Sequence, residues 1–216
     1  MPRHKKSSTP QAARLQFGLD EAVYPWLAPL LDAYREIDQG VLEAVARAEA
    51  RGRRLACAAG CSACCRTHQD IPVYPQELVG LTWYAVERLE SPLRERLLER
   101  LEAWPGVEGC VFLVDGRCSV HPMRPMACRQ FNVVGAPCAE GEDAFHARPG
   151  DVLRPARRHL RKAFWHMLPF YGVEDGRRRR EMAEAEALHG LARELGSCDW
   201  STLAGRMREK DRGRGA

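Results

Sequence analysis

Nine residues in the first third of the chain contain four of its nine cysteines. The stretch CAAGCSACC carries Cys57, Cys61, Cys64 and Cys65. If it is helical, the first three sulfurs fall within roughly 60° of one another at 100° per residue. Alternatively, Gly60 weakens that helix and marks a tight loop around an ion. In either conformation the thiolates converge, and grouped thiolates select zinc, copper(I) or an iron–sulfur cluster over magnesium or calcium.

A second group of cysteines follows in the next part of the chain. Cys110 and Cys118 flank an Asp-Gly dipeptide, which favours a tight hairpin turn, so both sulfurs can be offered to one ion. Cys128 and Cys138 come later at intervals of ten residues. Eight cysteines therefore lie within 57–138, enough for two four-sulfur sites or for one cluster with spare thiols.

Nearby arginines and a ninth cysteine complete the candidate residues. Four arginines, Arg66, Arg117, Arg124 and Arg129, lie within a few residues of a cysteine, where they can donate charge-assisted hydrogen bonds to sulfur or fall by chance in an arginine-rich chain. The ninth cysteine, Cys198, stands alone and is predicted to be a buried or partly buried free thiol.

The composition indicates a protein outside the membrane. Charged residues make up 29% of the chain, hydrophobic residues 45%, and the net charge is +4. No apolar run approaches the ~20 residues of a spanning helix. The first residues are basic and polar without the apolar segment of a secretory signal, which predicts a cytoplasmic location. In a reducing compartment, clustered cysteines indicate metal binding or redox chemistry before disulfides.

The elements that must position these cysteines are mostly helical. Apolar spacing of three and four residues predicts a long helix over 19–52, and further helices beginning near Pro75 and Pro92. Later helices are predicted at 153–168 and 178–195. The expected fold class is mainly α with one small β-hairpin and an irregular cysteine-rich metal-binding core.

The expected domain organisation has three parts. Residues 1–18 are predicted to be a disordered basic tail, and residues 201–216 a flexible basic tail. Between them, residues 19–200 form a single helical domain that contains the cysteine-cluster region 57–138.

The region from 148 to 180 is strongly basic. It carries ten Arg or Lys residues against three acids. A basic amphipathic helix within 152–168 is typical of a solvated helix face, or of a surface that binds an acidic protein or nucleic acid. His159 and His166 lie seven residues apart there and are either packing or surface histidines or a metal-binding pair.

Three stretches together resemble a known family. CAAGCSACC, IPVYPQEL and CVFLVDGRCSVHPMRPMACRQF resemble the YkgJ-type cysteine-cluster family, also called CxxCxxCC, a bacterial zinc- or iron-chelating domain. The resemblance implies metal ligands at Cys57, Cys61, Cys64, Cys65, Cys110, Cys118 and Cys128, with Cys138 as an eighth. Two departures stand out, because the first spacing is Cys-x3-Cys and His121 stands where the family tends to carry tyrosine. A histidine there could act as a ligand.

These observations leave three functions open. The first is a metal-binding protein that holds zinc, iron or an iron–sulfur cluster through clustered thiolates. The second is an iron–sulfur enzyme of methyl-transfer or redox type, since Cys57-x3-Cys61-x2-Cys64 has the spacing of radical SAM enzymes. The third is a zinc-stapled adaptor that binds nucleic acid through the basic helix. Whether the chain is an enzyme is not decided by the sequence.

Overall fold

The computed structural model describes residues 10–68 and 70–214. Its α-helices, in chain order, are α1 (Asp20–Val23), α2 (Leu27–Glu49), α3 (Ala63–Thr67), α4 (Pro75–Trp83), α5 (Leu93–Ala103), α6 (Met126–Gln130), α7 (Ala144–Ala147), α8 (Arg157–Met167), α9 (Gly176–Glu184) and α10 (Ser201–Arg214). Its strands are β1 (Pro72–Val73), β2 (Leu113–Val114), β3 (Arg117–Cys118) and β4 (Arg193–Glu194).

Helix α2 is the central element of the core. Its residues at helical spacing, Leu27, Leu30, Leu31, Tyr34 and Ile37, are almost completely buried. This apolar stripe packs against α8, α6 and α4 because a helix stabilises itself chiefly by burying one face. The core thus lies beside the cysteine region, and α2 supports the elements that carry it.

The expected hairpin is present between the two middle cysteines. Strand β2 pairs antiparallel with β3, and Leu113 stands opposite Cys118. Asp115 and Gly116 form the turn with φ of 49° and 73°, the conformation for which an Asp-Gly pair is favoured. The prediction of a mainly α fold with one small hairpin is confirmed.

The structure contains a second strand pair that was not expected from the sequence. Strand β1 pairs antiparallel with β4, with Pro72 opposite Glu194. Periodicity predicted a helix over 178–195, but α9 ends at Glu184 and a tight helical turn covers Ala187–Leu191. Glu186 lies between them with a φ of 53°, which breaks the helix.

The two predicted tails differ from the structure. Residues 201–216 were expected to be flexible, yet α10 occupies most of them and buries Leu203, Ala204 and Met207 against α5 and the turn after α4. The polar composition masks these few apolar residues. At the other end, residues 1–9 lie outside the described part, while Arg14 is paired with Glu21 and Asp32.

No helix in the described residues combines the length and apolarity needed to cross a membrane. The described strands are also all two residues long, so this part of the chain lacks the alternating strands and helices of the usual radical SAM scaffold.

Candidate metal centre

The first cysteine cluster is a loop followed by a short helix. Gly60 has a φ of 82°, and the backbone N–H of Cys61 donates to the carbonyl of Ala58 at 3.0 Å, which forms a turn. Helix α3 begins only at Ala63 and carries Cys64 and Cys65. Of the two conformations allowed by the sequence, the loop at Gly60 is therefore the one found, and a single helix over all four cysteines is not.

A direct backbone contact joins the first cluster to the second. The N–H of Cys110 donates to the carbonyl oxygen of Cys65 at 2.7 Å. Gly109 precedes it with a φ of 76°, and a Cβ there would lie 2.8 Å from that same oxygen. Glycine is required at this position because any side chain would push the two cysteine segments apart.

The hairpin and an arginine hold the second cluster in place. The N–H of Leu113 donates to the carbonyl of Cys110 at 2.9 Å, and Leu113 pairs with Cys118 across the hairpin. Arg100 donates from Nε and Nη2 to the same Cys110 carbonyl at 3.1 and 2.9 Å. Nothing in the sequence pattern singled out Arg100, because it lies on α5, outside the motifs.

Cys128 lies on α6, which two buried charged residues anchor. Glu77, with no exposed surface, accepts hydrogen bonds from the N–H of Met126 at 2.6 Å and of Tyr74 at 3.1 Å. Arg129 is 4% exposed and pairs with Asp38 at 2.8 Å. These contacts fix both ends of the short helix that presents the Cys128 thiol.

Four partly buried cysteines, Cys64, Cys110, Cys118 and Cys128, form what we call the inner sulfur group. Burial raises the pKa of the Cys118 thiol to about 12, with the Cys110 and Cys64 thiols contributing. Burial also raises the pKa of Cys128, and the other three thiols of the group add to the rise. Each thiol opposes ionisation of the others because like charges repel. A bound cation reverses this, since coordination deprotonates a thiol.

Cys57, Cys61 and Cys138 form a second set, the outer sulfur group. Burial raises the pKa of the Cys57 thiol, and the thiols of Cys61, Cys64 and Cys138 add to the rise. Burial likewise raises the pKa of Cys138, with Cys61 among the further causes. The N–H of Val133 donates to the Cys57 sulfur at 3.3 Å. Cys61 is exposed while the other two are partly buried, so this group lies nearer the surface.

Three arginines act on the thiols of the two groups, and only one of them, Arg124, was named from the sequence. Arg124 lowers the pKa of the Cys118 thiol against the effect of burial, and Arg100 does so for Cys110. Arg148 opposes the rise at Cys138. Arg129, in contrast, directs its guanidinium to Asp38 and to the carbonyls of Arg124 and Pro122. It positions α6 rather than donating to sulfur.

The histidines singled out in the sequence, His121, His159 and His166, face arginines or carboxylates rather than cysteine thiols in the part of the chain that the structure describes. Arg124 Nη1 lies 2.7 Å from Nε2 of His121. His159 is buried between two α2 carboxylates, with Nε2 3.2 Å from Glu43 and Nδ1 3.7 Å from Glu36. Burial lowers the pKa of His166.

Much of the basic character of α8 is neutralised within the fold. Arg157 and Arg161 pair with the buried carboxylate of Glu186, the former at 2.9 Å and the latter at 3.2 Å. Arg158 pairs with Glu43. Arg179 of α9 stacks on Trp165 at 3.6 Å.

The structure places the predicted cysteines in neighbouring segments, but their side chains do not converge on one common point. Across residues 10–68 and 70–214, no three His, Cys, Asp or Glu side chains already stand in an arrangement that would hold a metal ion. All nine cysteines are free thiols. Cys198 lies apart, partly buried against the core, with its thiol 3.5 Å from the carbonyl of Glu194. The free thiols of the two sulfur groups are soft donors, so together they have the chemistry of a soft-metal site.

A helical fold that gathers free thiols from separate segments defines a thiol-rich metal-chelating domain. Residues 56–150 match the family model CxxCxxCC, described as a "putative zinc- or iron-chelating domain". This stretch is slightly under half of the chain, and its match to that family model confirms the resemblance seen in the sequence. No curated protein and no solved structure matches the chain.

Proposed function

We propose that this protein binds zinc or iron through two thiolate centres, one in each sulfur group. The observation that carries the proposal is the 2.7 Å hydrogen bond from Cys110 N–H to the Cys65 carbonyl. It brings together two segments that are distant in sequence and that each end in cysteines. With the hairpin and α6 beside them, four thiols of the inner group lie in one region, the number that a closed zinc site takes.

The charges around the groups support a bound cation. Four thiolates around one zinc ion carry a net charge of about −2, which needs nearby cations. Arg100 and Arg124 act on the inner group and Arg148 on the outer group. Arg100 reaches the carbonyl of Cys110 rather than its sulfur, so it steadies the ligand backbone while it offsets charge.

The proposal also includes a structural role for the inner centre and a cellular location for the protein. A closed four-sulfur site holds the cysteine-bearing segments together, whereas an enzyme would leave one metal position open to substrate. We assign the first role to the inner group because its thiols are partly buried. Thiolate binding also requires reduced cysteines, so we place the protein in the cytoplasm.

Metal analysis of the full chain, purified without oxygen or chelators, tests the proposal. We expect zinc in colourless protein, or iron in brown protein whose visible absorption comes from sulfur-to-iron charge transfer. Cys128→Ser should lower metal content and melting temperature together. Cys198→Ser is the matched control, because Cys198 lies outside both groups, and it should leave the metal content unchanged. Folded wild-type protein without metal would overturn the proposal.

A further inference from the structure

The imidazole of His68 is held with a defined tautomer beside the cysteine region. Its side chain is 14% exposed and packs edge-on against Phe131, with ring centroids 4.4 Å apart. Thr67 Oγ1 lies 3.0 Å from Nδ1 and donates its own proton to the carbonyl of Ala63 at 3.2 Å. A hydroxyl has one proton, so Oγ1 must accept from Nδ1–H. In the neutral imidazole, Nε2 therefore carries a lone pair.

That lone pair faces a carboxylate. Nε2 of His68 lies 3.3 Å from Oδ1 of Asp143, is buried, and has no hydrogen-bond partner. The same oxygen accepts from the N–H of Phe145 at 2.8 Å, which fixes its position. A lone pair and a carboxylate oxygen at this distance repel unless a cation, either a proton or a metal ion, lies between them.

Two segments connect this pair of side chains to the outer sulfur group. Phe131, which packs edge-on against His68, lies two residues before Val133, whose N–H donates to the Cys57 sulfur at 3.3 Å. Asp143 lies five residues after Cys138, in the same loop. The outer group has three thiols, one fewer than the four protein ligands of a closed zinc site, because the remaining cysteine of the first cluster, Cys65, has its thiol in hydrogen-bond contact with Cys64 of the inner group.

We propose that His68 Nε2 is the fourth ligand of the outer centre, which makes it a Cys3His site with the Asp143 carboxylate next to the ion. The inference rests on the proposed function and adds a ligand that the cysteine motif does not contain. The hydrogen bond from Nδ1–H to Thr67 fixes the tautomer and ring orientation, as such a bond does for metal-ligating histidines. The inner centre remains an all-sulfur site.

Three full-length variants, purified anaerobically, test this assignment with metal analysis and X-ray absorption at the metal edge. His68→Ala should lose about one metal ion per chain, because the substitution removes a ligand from the outer centre and none from the inner centre. His68→Cys should restore that metal with one more sulfur and one less imidazole in the absorption spectrum. His146→Ala is the matched control, since its Nε2 also faces Asp143, at 3.9 Å, but its side chain is 75% exposed. It should keep the wild-type metal content and spectrum.

The outcomes separate the two proposals. Wild-type protein that binds no metal overturns the proposed function and the His68 assignment together. Wild-type protein that binds metal without imidazole scattering overturns the assignment alone, even if His68→Ala fails to fold. The assignment is also overturned if His68→Ala retains the full metal content.

Discussion

Glu77 and Met126 form a buried contact that links the core to the metal region. The carboxylate of Glu77 has no exposed surface, and its Oε1 lies 2.6 Å from the backbone N–H that begins α6. Since α6 carries Cys128, the position of that thiol depends on a side chain from a helix far away in sequence. The other oxygen accepts from Tyr74 N–H, so one carboxylate joins the starts of α4 and α6.

Removal of this carboxylate should destabilise the protein and loosen the inner centre. We expect Glu77→Ala to lower the free energy of unfolding by about 3 kcal/mol, because two buried N–H groups lose their acceptor. Chemical denaturation measures this, and metal affinity should fall with it. Glu90→Ala removes an exposed carboxylate and serves as the control. An effect no larger than that of the control would show that the contact does not hold α6.

The same carboxylate should make stability depend on pH. Burial raises the pKa of Glu77 to about 7, while its hydrogen bonds and Arg129 act in the opposite direction. Between the unfolded value near 4.5 and about 7, the folded state binds a proton that the unfolded state releases. Stability from this group is therefore complete at low pH and is lost as the pH rises through 7, with a slope of at most about 1.4 kcal/mol per pH unit.

Melting curves between pH 5 and 8 check this slope when wild type is compared with Glu77→Gln. Glutamine does not titrate, so the difference in stability between the two proteins should change with pH in the stated direction. A constant difference across the range would mean that Glu77 does not change its protonation there.

Gly40 is required by the packing of α2 against α8. A Cβ at this position would lie 2.9 Å from Cγ of the buried His159 ring, which is held between Glu36 and Glu43. We expect Gly40→Ala to destabilise by about 2 kcal/mol through overpacking. Gly205→Ala is the control, since a Cβ in that exposed helical position meets nothing within 4 Å, and it should stabilise by up to about 1 kcal/mol. Equal effects in thermal unfolding would contradict this.

Metal removal should unfold the cysteine region before the rest of the domain. The buried apolar core is built mainly from helices that carry no cysteine, including α2, α4, α5, α8 and α10. Chelation under reducing conditions should therefore lower the melting temperature and speed amide exchange at 57–68, while far-ultraviolet circular dichroism retains most of its helical signal. Loss of the whole helical signal on chelation would show that the metal supports the entire fold.

The ion pairs of α8 predict weak nucleic-acid binding. Arg157, Arg158 and Arg161 already face Glu186 or Glu43. Neutral substitution of Arg158 should cost less than about 1 kcal/mol, because its pair with Glu43 is largely exposed. Loss of Arg157 and Arg161 together should destabilise more, because the buried Glu186 carboxylate then loses both arginine partners. Titration with single- and double-stranded oligonucleotides at low salt should show no binding that these substitutions abolish. Salt-sensitive binding lost in the triple variant would contradict the expectation.

The C-terminal segment shows where composition failed as a guide. Residues 201–216 are so polar that a tail was expected, but Leu203, Ala204 and Met207 lie on one side of α10 and are buried. Arg94, 4% exposed, also donates to the carbonyl of Met207 and to Asp211. A helix that exists because of its partners cannot be found from its own residues, since tertiary packing supplies most of its stability.

The sequence alone determined the helical class, the hairpin between Cys110 and Cys118, and the soft-metal chemistry, because residue type and short-range spacing decide these. Only the tertiary structure divided the thiols into an inner and an outer group and brought Arg100 and Glu77 to the segments that carry the inner group. These relationships join residues from separate helices and loops, and no periodicity within one segment records which distant segment will pack against it.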